Sequence, residues 1–435
     1  MVVERRLNDT FNKICWTINK TLRAEAPTIK NTERQEIQEI NQIVEVENKS
    51  EFYQFETLPQ GDVLKRKEQE QRWFSHSNRQ PTGLYTEGKE NFTVISDREK
   101  LIPETTFVLQ KGENNITYQK GIGMIYLTNL SENEISRIYI SKKSVRQTPI
   151  FELGKTTQRE FEEQLDLLSE APFVELVGKY IYGTFKYSLA ADTLPGTDIE
   201  GRIEYWDKGL EIQASLHGLD YNEMYNNRVY IANPDSGPKG MVAFAQDYHI
   251  LMFGQSGQDL LSSQFNRYTN ANRLLWHEVG HTFQNVHYKL EYLNEVTNEF
   301  YALVVQIEMG HGNNLKENYY AGIKHYLLQD DNVKDYSKDF LTYNRIPVGL
   351  FEQLRIEYGT EFYGQINQYY REYSDSEGWR NYDAMQNFII VSSKVANRNL
   401  IPFFKKWGIR PTENVRNKLS SLPLLEKNIW LNIYS

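Results

Sequence analysis

Three residues of this 435-residue chain have the types and spacing needed for catalysis at a metal ion. His277, Glu278 and His281 form the pattern H-E-x-x-H. On an α-helix, residues four apart lie one turn above each other, so both imidazoles can bind the same ion. Glu278 lies next to His277 and can polarise a water molecule at the metal without being a ligand. The pattern is typical of zinc-dependent peptidases and predicts hydrolysis by metal-activated water.

A catalytic zinc usually has three protein ligands, and two carboxylates downstream of the motif could supply the third. Glu295 and Glu299 are four residues apart, which places both on one face of a second predicted helix. The opposite face of that helix is apolar and suits a core, with Val296, Phe300, Val304 and Ile307. Spacing alone leaves both carboxylates open as the third ligand.

The elements around the motif must hold it against a core and beside its substrate. The motif lies on a predicted amphipathic helix whose inward residues are Leu275, Val279, Thr282 and Val286. The preceding run, 241–253, reads MVAFAQDYHILMF and is β-rich in its second half. A strand here would lie next to the helix, and an edge strand can bind an extended peptide through main-chain hydrogen bonds.

The composition is that of an ordinary globular protein, with 40% hydrophobic and 25% charged residues, and its length allows two or three domains. A formal net charge of −9 argues against a nucleic-acid partner. The single cysteine, Cys15, excludes an internal disulfide framework and a Cys-ligated zinc site. We expect no membrane span, because no run of 18 apolar residues occurs, and the first 20 residues lack the apolar core of a secretory signal.

The predicted fold class is α+β, in three parts. Residues 1–80 form a polar, partly helical lead-in, 81–170 a β-sandwich-like subdomain, and 171–435 a mainly helical catalytic domain. The sandwich is indicated by short apolar or alternating runs about 8–12 residues apart and separated by turn residues. These runs are 91–96, 105–109, 115–118, 123–127 and 137–140.

The sequence also resembles the M60 peptidases, the enhancin and enhancin-like family. The likeness covers about residues 75–410 and is most specific at HEVGHTFQ (277–284) and NEVTNEFYAL (294–303). The other similar blocks follow in the family's order: QPTGLYTEG (80–88), GIGMIYLTN (121–129), PIFELGKTT (149–157), NPDSGPKGMVAF (233–244) and NLIPFFKKWG (399–408).

The resemblance implies a β-sandwich-like subdomain ahead of a gluzincin metallopeptidase domain, and endopeptidase action on mucins or other O-glycosylated proteins. His277 and His281 match the family's zinc ligands, and Glu278 matches its catalytic carboxylate. Glu295 matches the third ligand, although its short distance from His281 leaves Glu299 as an alternative. Family members are commonly exported, which implies an extracellular protein although this chain shows no signal peptide.

Two alternatives to this function remain at the level of sequence. The first is a mucin- or carbohydrate-binding protein whose catalytic site has decayed, and the second is a general zinc endopeptidase without a glycan requirement. The donor that stabilises the oxyanion is also open, with His249, His325 and the many tyrosines as candidates. Nothing in the sequence indicates an oligomeric state.

Overall fold

The structure is a computed structural model, and it describes residues 15–19, 51–88, 91–96, 107–118, 120–221, 226–238, 240–267, 269–289, 294–340, 345–377 and 383–434. Helices and sheets both contribute to it, so the predicted α+β class is confirmed. None of the helices in these ranges combines the length and apolarity needed to cross a lipid bilayer.

The first part of the fold is a pair of sheets packed face to face. Its strands are β1 Cys15–Asn19, β2 Phe52–Thr57, β3 Gln80–Thr86, β4 Phe92–Ser96, β5 Phe107–Val108, β6 Gly112–Ile116, β7 Gly123–Leu127, β8 Ser136–Ser141 and β9 Arg146–Gln147. One sheet has the order β5-β1-β7-β3-β9, and the other has the order β2-β8-β4-β6. A short helix, α1 (Val63–Gln69), follows β2 and begins at Asp62, whose side chain accepts from the backbone of Leu64 and Lys65.

Strand β7 connects the sandwich to the catalytic unit, because its two faces pack into different cores. Successive side chains of a strand point to opposite faces. Ile125 and Leu127 therefore enter the core between the two sheets, which also contains Val94 and Ile138 from the other sheet. Met124 and Tyr126, together with Tyr85 of β3, face the opposite way and pack against the sheet of the catalytic unit. Both faces of β7 are buried, which fixes the sandwich against its neighbour.

The second part is built on a six-stranded sheet with the order β10-β11-β12-β13-β15-β14. The strands are β10 Ile150–Glu152, β11 Phe173–Val177, β12 Ile181–Lys186, β13 Val229–Ala232, β14 Ala243–Gln246 and β15 His249–Met252. Strands β14 and β15 pair antiparallel as a hairpin, which leaves β14 at the edge of the sheet. The run 241–253, predicted as one edge strand, is therefore two strands. Its first half forms the edge strand β14, and its β-rich second half forms β15, which lies inside the sheet.

Helices cover this sheet and make up most of the rest of the chain. They are α2 Gln158–Leu167, α3 Tyr187–Thr193, α4 Ile199–Leu216, α5 Gln255–Leu260, α6 Asn270–Phe283, α7 Asn294–Glu308, α8 Asn314–Asn318, α9 Tyr320–Leu328, α10 Tyr336–Asp339, α11 Val348–Tyr358, α12 Glu361–Glu377, α13 Ala384–Ala396, α14 Ile401–Lys406 and α15 Glu413–Leu419. A 3₁₀ helix, Ile429–Tyr434, ends the described chain. One large apolar core joins the sheet to these helices.

The domain limits at 80 and 170 remain predictions, but the sheets continue across both of them. Strand β2 (Phe52–Thr57) lies in the predicted lead-in and pairs with β8 of the sandwich along its whole length. Strand β10 (Ile150–Glu152) lies within the predicted sandwich range and pairs with β11 of the catalytic sheet. The local sequence does not show to which sheet such a strand belongs, because an edge strand is placed by pairing with a strand that can be far away in sequence.

Candidate active site

Helix α6 positions the H-E-x-x-H motif. It begins at Thr269, whose hydroxyl accepts from the backbone N–H of Asn272. His277 and Glu278 are buried, with 7% and 6% of their surface exposed. The inward face was predicted as Leu275, Val279, Thr282 and Val286, and the first three are buried. The prediction for Val286 was wrong. Its side chain is 44% exposed, because α6 ends at Phe283 and the helical periodicity stops there.

Helix α7 crosses α6 at a glycine. A Cβ on Gly280 would lie 2.7 Å from the carbonyl oxygen of Asn298, so only glycine allows the two backbones to come this close. Gly280 lies between the two histidines of the motif, and Asn298 lies between Glu295 and Glu299. The close crossing therefore brings both candidate carboxylates to the motif.

The two histidines and Glu295 come together at one point. Glu295 Oε2 lies 2.8 Å from His277 Nε2 and 3.4 Å from His281 Nε2. The candidate ligand atoms of the three residues all lie within 4.8 Å of one another. The amide nitrogen of Asn298 contacts all three side chains, at 2.9 Å from His277, 2.8 Å from His281 and 3.3 Å from Glu295. One atom can touch all three groups, so they converge.

The second nitrogen of each imidazole is held by another side chain. His277 Nδ1 lies 2.8 Å from Glu299 Oε2, and His281 Nδ1 lies 2.7 Å from Gln284 Oε1. Because both partners accept, each Nδ1 donates its hydrogen to them, and Nε2 is the nitrogen that a metal ion would bind. Such partners fix the tautomer and the ring orientation of a metal-binding histidine.

Glu299 is occupied by other groups. Its Oε1 lies 2.9 Å from Nε of Arg345, and its Oε2 lies 2.9 Å from Nη1 of Arg273. Its side chain is 5% exposed, whereas that of Glu295 is 48% exposed. Burial alone would raise the pKa of Glu299, but the hydrogen bond to His277 and the charges of the two arginines hold that pKa below its ordinary value. The geometry favours Glu295 as the third ligand and gives Glu299 a supporting position.

The charges of the cluster are strongly coupled. Burial acts to lower the pKa of His277, but hydrogen bonds to Glu295 and Glu299 outweigh it and raise that pKa to about 9. Burial likewise opposes ionisation of Glu295, yet its hydrogen bonds to His277 and His281 hold its pKa below the ordinary value. The site thus concentrates negative charge around the two imidazoles, which is an arrangement that suits a cation.

Glu278 lies outside the group of ligand atoms and borders the edge strand. Burial raises the pKa of its carboxyl, and the nearby His281 and His277 act in the opposite direction. The backbone of Ala245 in β14 hydrogen-bonds to this carboxyl. A carboxylate with a raised pKa is suited to take and return protons near neutral pH. The carboxyl of Glu278 therefore lies beside the edge strand β14.

The donor set fits a zinc ion. Two imidazole nitrogens and one carboxylate oxygen are the ligands of many catalytic zinc sites, which keep a fourth position open. Around an ion with bonds of about 2.0–2.2 Å in tetrahedral geometry, ligand atoms lie about 3.4 Å apart. The distances of 2.8 Å and 3.4 Å from Glu295 to the two histidines are close to this value.

Four residues of the site were not assigned these roles from the sequence: Gln284, Asn298, Arg273 and Arg345. Gln284 and Arg273 lie near the motif histidines in sequence, three residues after His281 and four before His277, so helical spacing could have suggested them. Arg345 follows α7 by more than 30 residues, and no local pattern points to it.

The oxyanion donor is not identified by these contacts. Of the two histidines considered, His249 is buried at the start of β15, with Nε2 against Gln246, and His325 is exposed on α9. An oxyanion donor at this site therefore stays a prediction.

Comparison with known proteins supports the resemblance seen in the sequence. The family described as "Peptidase M60, enhancin and enhancin-like" matches residues 144–408, which is more than half of the chain. A curated relative, the TRPM8 channel-associated factor homolog of Xenopus laevis, is 23% identical over 324 residues, which cover 70% of this chain. The match covers 33% of that protein, so the chain spans about a third of the length of this relative.

Solved structures share the fold. A functionally unknown conserved protein from Bacillus anthracis has 28% identity and a TM-score of 0.76, over 88% of this chain and 81% of that one. The M60 catalytic domain of ZmpC from Clostridium perfringens, in complex with the sialyl T antigen, has 17% identity and a TM-score of 0.70, over 88% and 83%. A metallopeptidase in complex with Tn antigen has 18% identity and the same TM-score, over 87% and 79%. With the family match over most of the catalytic unit, the chain belongs to the M60 peptidases, the enhancin and enhancin-like family.

Proposed function

We propose that this protein is a zinc-dependent endopeptidase that cleaves mucin-like, O-glycosylated proteins. The observation that carries the proposal is the convergence of His277, His281 and Glu295 on one point, with Glu278 beside it. Family membership implies a metal cofactor, and the donor set favours zinc.

Each residue of the site has a distinct role in this proposal. His277, His281 and Glu295 would hold the metal, which supplies Lewis acidity that activates water and polarises the peptide carbonyl. The carboxylate of Glu278 takes a proton from the attacking water and returns it to the nitrogen of the leaving amine. The edge strand β14 (Ala243–Gln246) binds the peptide backbone in an extended form, so that the cleaved bond lies beside Glu278.

The substrate class rests on the neighbours. Two metallopeptidases with this fold are described in complex with glycan antigens, the sialyl T antigen and the Tn antigen. We therefore assign this chain a substrate with an O-linked glycan close to the cleaved bond, and an extracellular place of action where such proteins occur. Part of the binding energy then comes from the sugar.

The decisive experiment uses one peptide sequence prepared with and without its O-glycan. We expect the glycosylated form to have the higher kcat/KM, by roughly 10- to 200-fold, because contacts to the sugar that stabilise the transition state are missing from the plain form. Equal cleavage of both peptides would leave a general zinc endopeptidase and rule out the mucin-like substrate class.

A catalytically decayed binding protein is the second candidate. It is favoured by the name of the Xenopus laevis relative, which describes association with a channel and no catalysis. Metal analysis and the peptide assay separate the two candidates. Protein that binds the glycosylated peptide but cleaves neither form when loaded with zinc would support the decayed binding protein over the peptidase.

A further inference from the structure

The tip of the hairpin formed by β14 and β15 is bound to a part of the chain that is distant in sequence. Asp247 and Tyr248 connect the two strands. The two carboxylate oxygens of Asp247 lie 2.9 Å and 3.0 Å from Nζ of Lys67 in α1. Asp247 Oδ1 also accepts from the backbone N–H of Ser75 at 2.7 Å, and the carbonyl oxygen of Ser75 accepts from the N–H of Tyr248 at 3.1 Å. Residues 63–77, which we call the connecting segment, therefore hold the hairpin tip.

The hairpin turn depends on such outside contacts. Tyr248 has a positive φ of 76°, which brings the β-carbon of a non-glycine residue close to the following carbonyl oxygen. Two-residue hairpin turns usually have glycine where a positive φ is needed, as in Asp-Gly, and Asp247-Tyr248 has no glycine. A residue keeps such a conformation when the surrounding structure determines it. The contacts from Asp247 and Tyr248 to the connecting segment supply this support.

The connecting segment also binds the C-terminal end of the motif helix α6. Nε2 of His76 lies 3.1 Å from the hydroxyl oxygen of Thr282, which follows the second histidine of the motif. Nη1 of Arg72 donates to the carbonyl oxygen of Thr282 at 3.4 Å. Just beyond the helix, the N–H of Val286 donates to the carbonyl oxygen of Gln71 at 3.1 Å. Arg72 and His76 are buried, so one segment inside the protein fixes both the hairpin and the helix.

Two alternate residues of β14 direct their backbone groups to the side where Glu278 lies. In an antiparallel pair, every second residue directs its N–H and C=O towards the partner strand, and the residues between direct theirs away. Val242 accepts from the N–H of Phe253 at 3.0 Å, and the pairing continues along β14 without a shift. Ala243 and Ala245 therefore direct their backbone groups away from β15. The hydrogen bond between the backbone of Ala245 and the Glu278 carboxyl agrees with this register.

We propose that Asp247 is a positioning residue, which holds the backbone of β14 at the place where an extended peptide binds beside Glu278. The proposal rests on the peptidase function proposed above and adds the side chain that fixes the strand. Asp247 joins the hairpin tip to two points of the connecting segment, Lys67 and Ser75. Without Asp247 the tip can move relative to α6. Hydrogen bonds from the peptide to β14 then weaken, because a hydrogen bond depends steeply on its angle.

The test uses the glycosylated peptide of the assay above, together with versions in which one backbone amide is replaced by an ester. The cleaved bond itself stays an amide. An ester has no N–H, so it removes one hydrogen bond at a position where the peptide N–H donates to β14. We expect wild type to lose roughly 3- to 10-fold in kcat/KM at such a position, as for one neutral hydrogen bond. We call this loss the ester effect.

Asp247→Ala should remove most of the ester effect, because the hydrogen bond is already misaligned when the all-amide peptide binds. We expect an ester effect below roughly 2-fold in this variant, which is the sign of coupling in a double-mutant cycle. Asp247→Asn keeps an acceptor for the N–H of Ser75 but loses the charge pair with Lys67, so it should retain part of the effect. Zinc content and thermal unfolding show that the variants are folded and loaded.

Lys65→Met is the matched control for Lys67→Met. Both changes remove one positive charge from α1, but Lys65 is exposed, whereas Lys67 contacts Asp247. We expect the full ester effect in Lys65→Met and a partial one in Lys67→Met, as in Asp247→Asn. An ester effect of wild-type size in Asp247→Ala would overturn the positioning role, even if the overall rate falls, because a general loss of stability slows both peptides equally.

A binding measurement separates this proposal from the proposed function. Calorimetry of the same peptides with Glu278→Gln, with and without Asp247→Ala, requires no cleavage. An ester effect on affinity that disappears with Asp247→Ala, while wild type cleaves no peptide, would support the positioning role and overturn the peptidase. Cleavage by wild type with no ester effect at any position would show that β14 does not bind the peptide backbone. That result would overturn the positioning role and leave the peptidase intact.

Discussion

Glu278 differs from the two histidines of its motif in what it contacts. The imidazoles converge on Glu295, whereas the Glu278 carboxyl contacts the backbone of Ala245 in β14. The position of Glu278 suits proton transfer, whereas the positions of the two histidines suit metal binding. The two roles have different consequences when the residue is changed.

Changing Glu278→Gln should leave the metal in place and remove nearly all proteolysis. The amide has the shape of the carboxyl but cannot take a proton, and a positioned general base typically contributes about 10²–10⁴-fold. Zinc content by mass spectrometry and kcat/KM on the glycosylated peptide are the two measurements. Loss of zinc together with activity would show that Glu278 is a ligand.

Glu295 and Glu299 should differ in their effect on metal affinity. Glu295→Ala removes a ligand and should leave little stoichiometric zinc. Glu299→Gln removes the negative charge that holds His277 and should weaken zinc binding by about 10–100-fold without abolishing it. Competition with a chelator gives both affinities. The opposite order would make Glu299 the third ligand.

The sequence identified Glu295 and Glu299 as candidate ligands but could not show which of them binds the metal. Both carboxylates share one helical face, so their spacing to the motif is compatible with either as ligand. The distinction depends on Arg345, which approaches Glu299 from a distant part of the chain. The sequence spacing could have suggested Gln284, because it follows His281 by three residues. In the structure its amide nitrogen also contacts Asn294 and Thr297 at the start of α7.

At the scale of elements, the crossing of α6 and α7 determines the geometry of the site. Gly280 allows the crossing because its missing Cβ leaves room for the backbone of Asn298. The H-E-x-x-H pattern does not specify the residue at this position. The requirement for glycine becomes visible only when the second helix is in place.

Changing Gly280→Ala should destabilise the fold and weaken metal binding together. The new Cβ would lie 2.7 Å from a backbone oxygen, which cannot move as a side-chain end can, so α7 and Glu295 must shift. Forcing a methyl group into a packed contact typically costs about 1–3 kcal/mol. Thermal unfolding with and without zinc measures both effects.

Gly322→Ala in α9 is the matched control for this change. Its Cβ would meet only the Cδ1 and Cγ1 atoms of Ile346, a flexible side chain. We expect little change in unfolding temperature or zinc affinity. If Gly280→Ala behaved like this control, the close crossing would not determine the position of Glu295.

Sequence patterns located individual strands of the sandwich but not the sheets to which they belong. The run at 123–127 was predicted as a strand and is β7 (Gly123–Leu127). Its apolar residues are continuous, and only the structure shows that Ile125 faces the sandwich core while Tyr126 faces the catalytic sheet. A strand buried on both faces loses the alternation that would reveal its orientation.

At the scale of the whole molecule, a buried glutamate connects the sandwich to the sheet of the catalytic unit. Glu175 of β11 is 0% exposed, and its Oε2 accepts from the backbone N–H of Gly83 in β3 at 2.9 Å. Burial raises the pKa of this carboxyl to about 7, although the hydrogen bond from Gly83 acts in the opposite direction. The interface between sandwich and catalytic unit therefore carries a group that titrates near neutral pH.

The raised pKa predicts that stability falls as pH rises between about 4.5 and 7. In this window the folded protein holds a proton on Glu175 that the unfolded chain releases, so unfolding becomes more favourable with increasing pH. The shift corresponds to about 3 kcal/mol at pH 8. Glu175→Gln keeps an acceptor for Gly83 and removes the ionisation.

We therefore expect Glu175→Gln to unfold at a temperature several degrees above wild type at pH 8 and close to wild type at pH 4.5. Glu163→Gln, a change at an exposed position of α2, controls for the altered net charge and should give no such difference between the two pH values. Thermal unfolding of the three proteins across this range is the measurement. A gain that is the same at both pH values would mean that the variant improves packing, and that Glu175 is not the group through which pH acts on the joint between the two sheets.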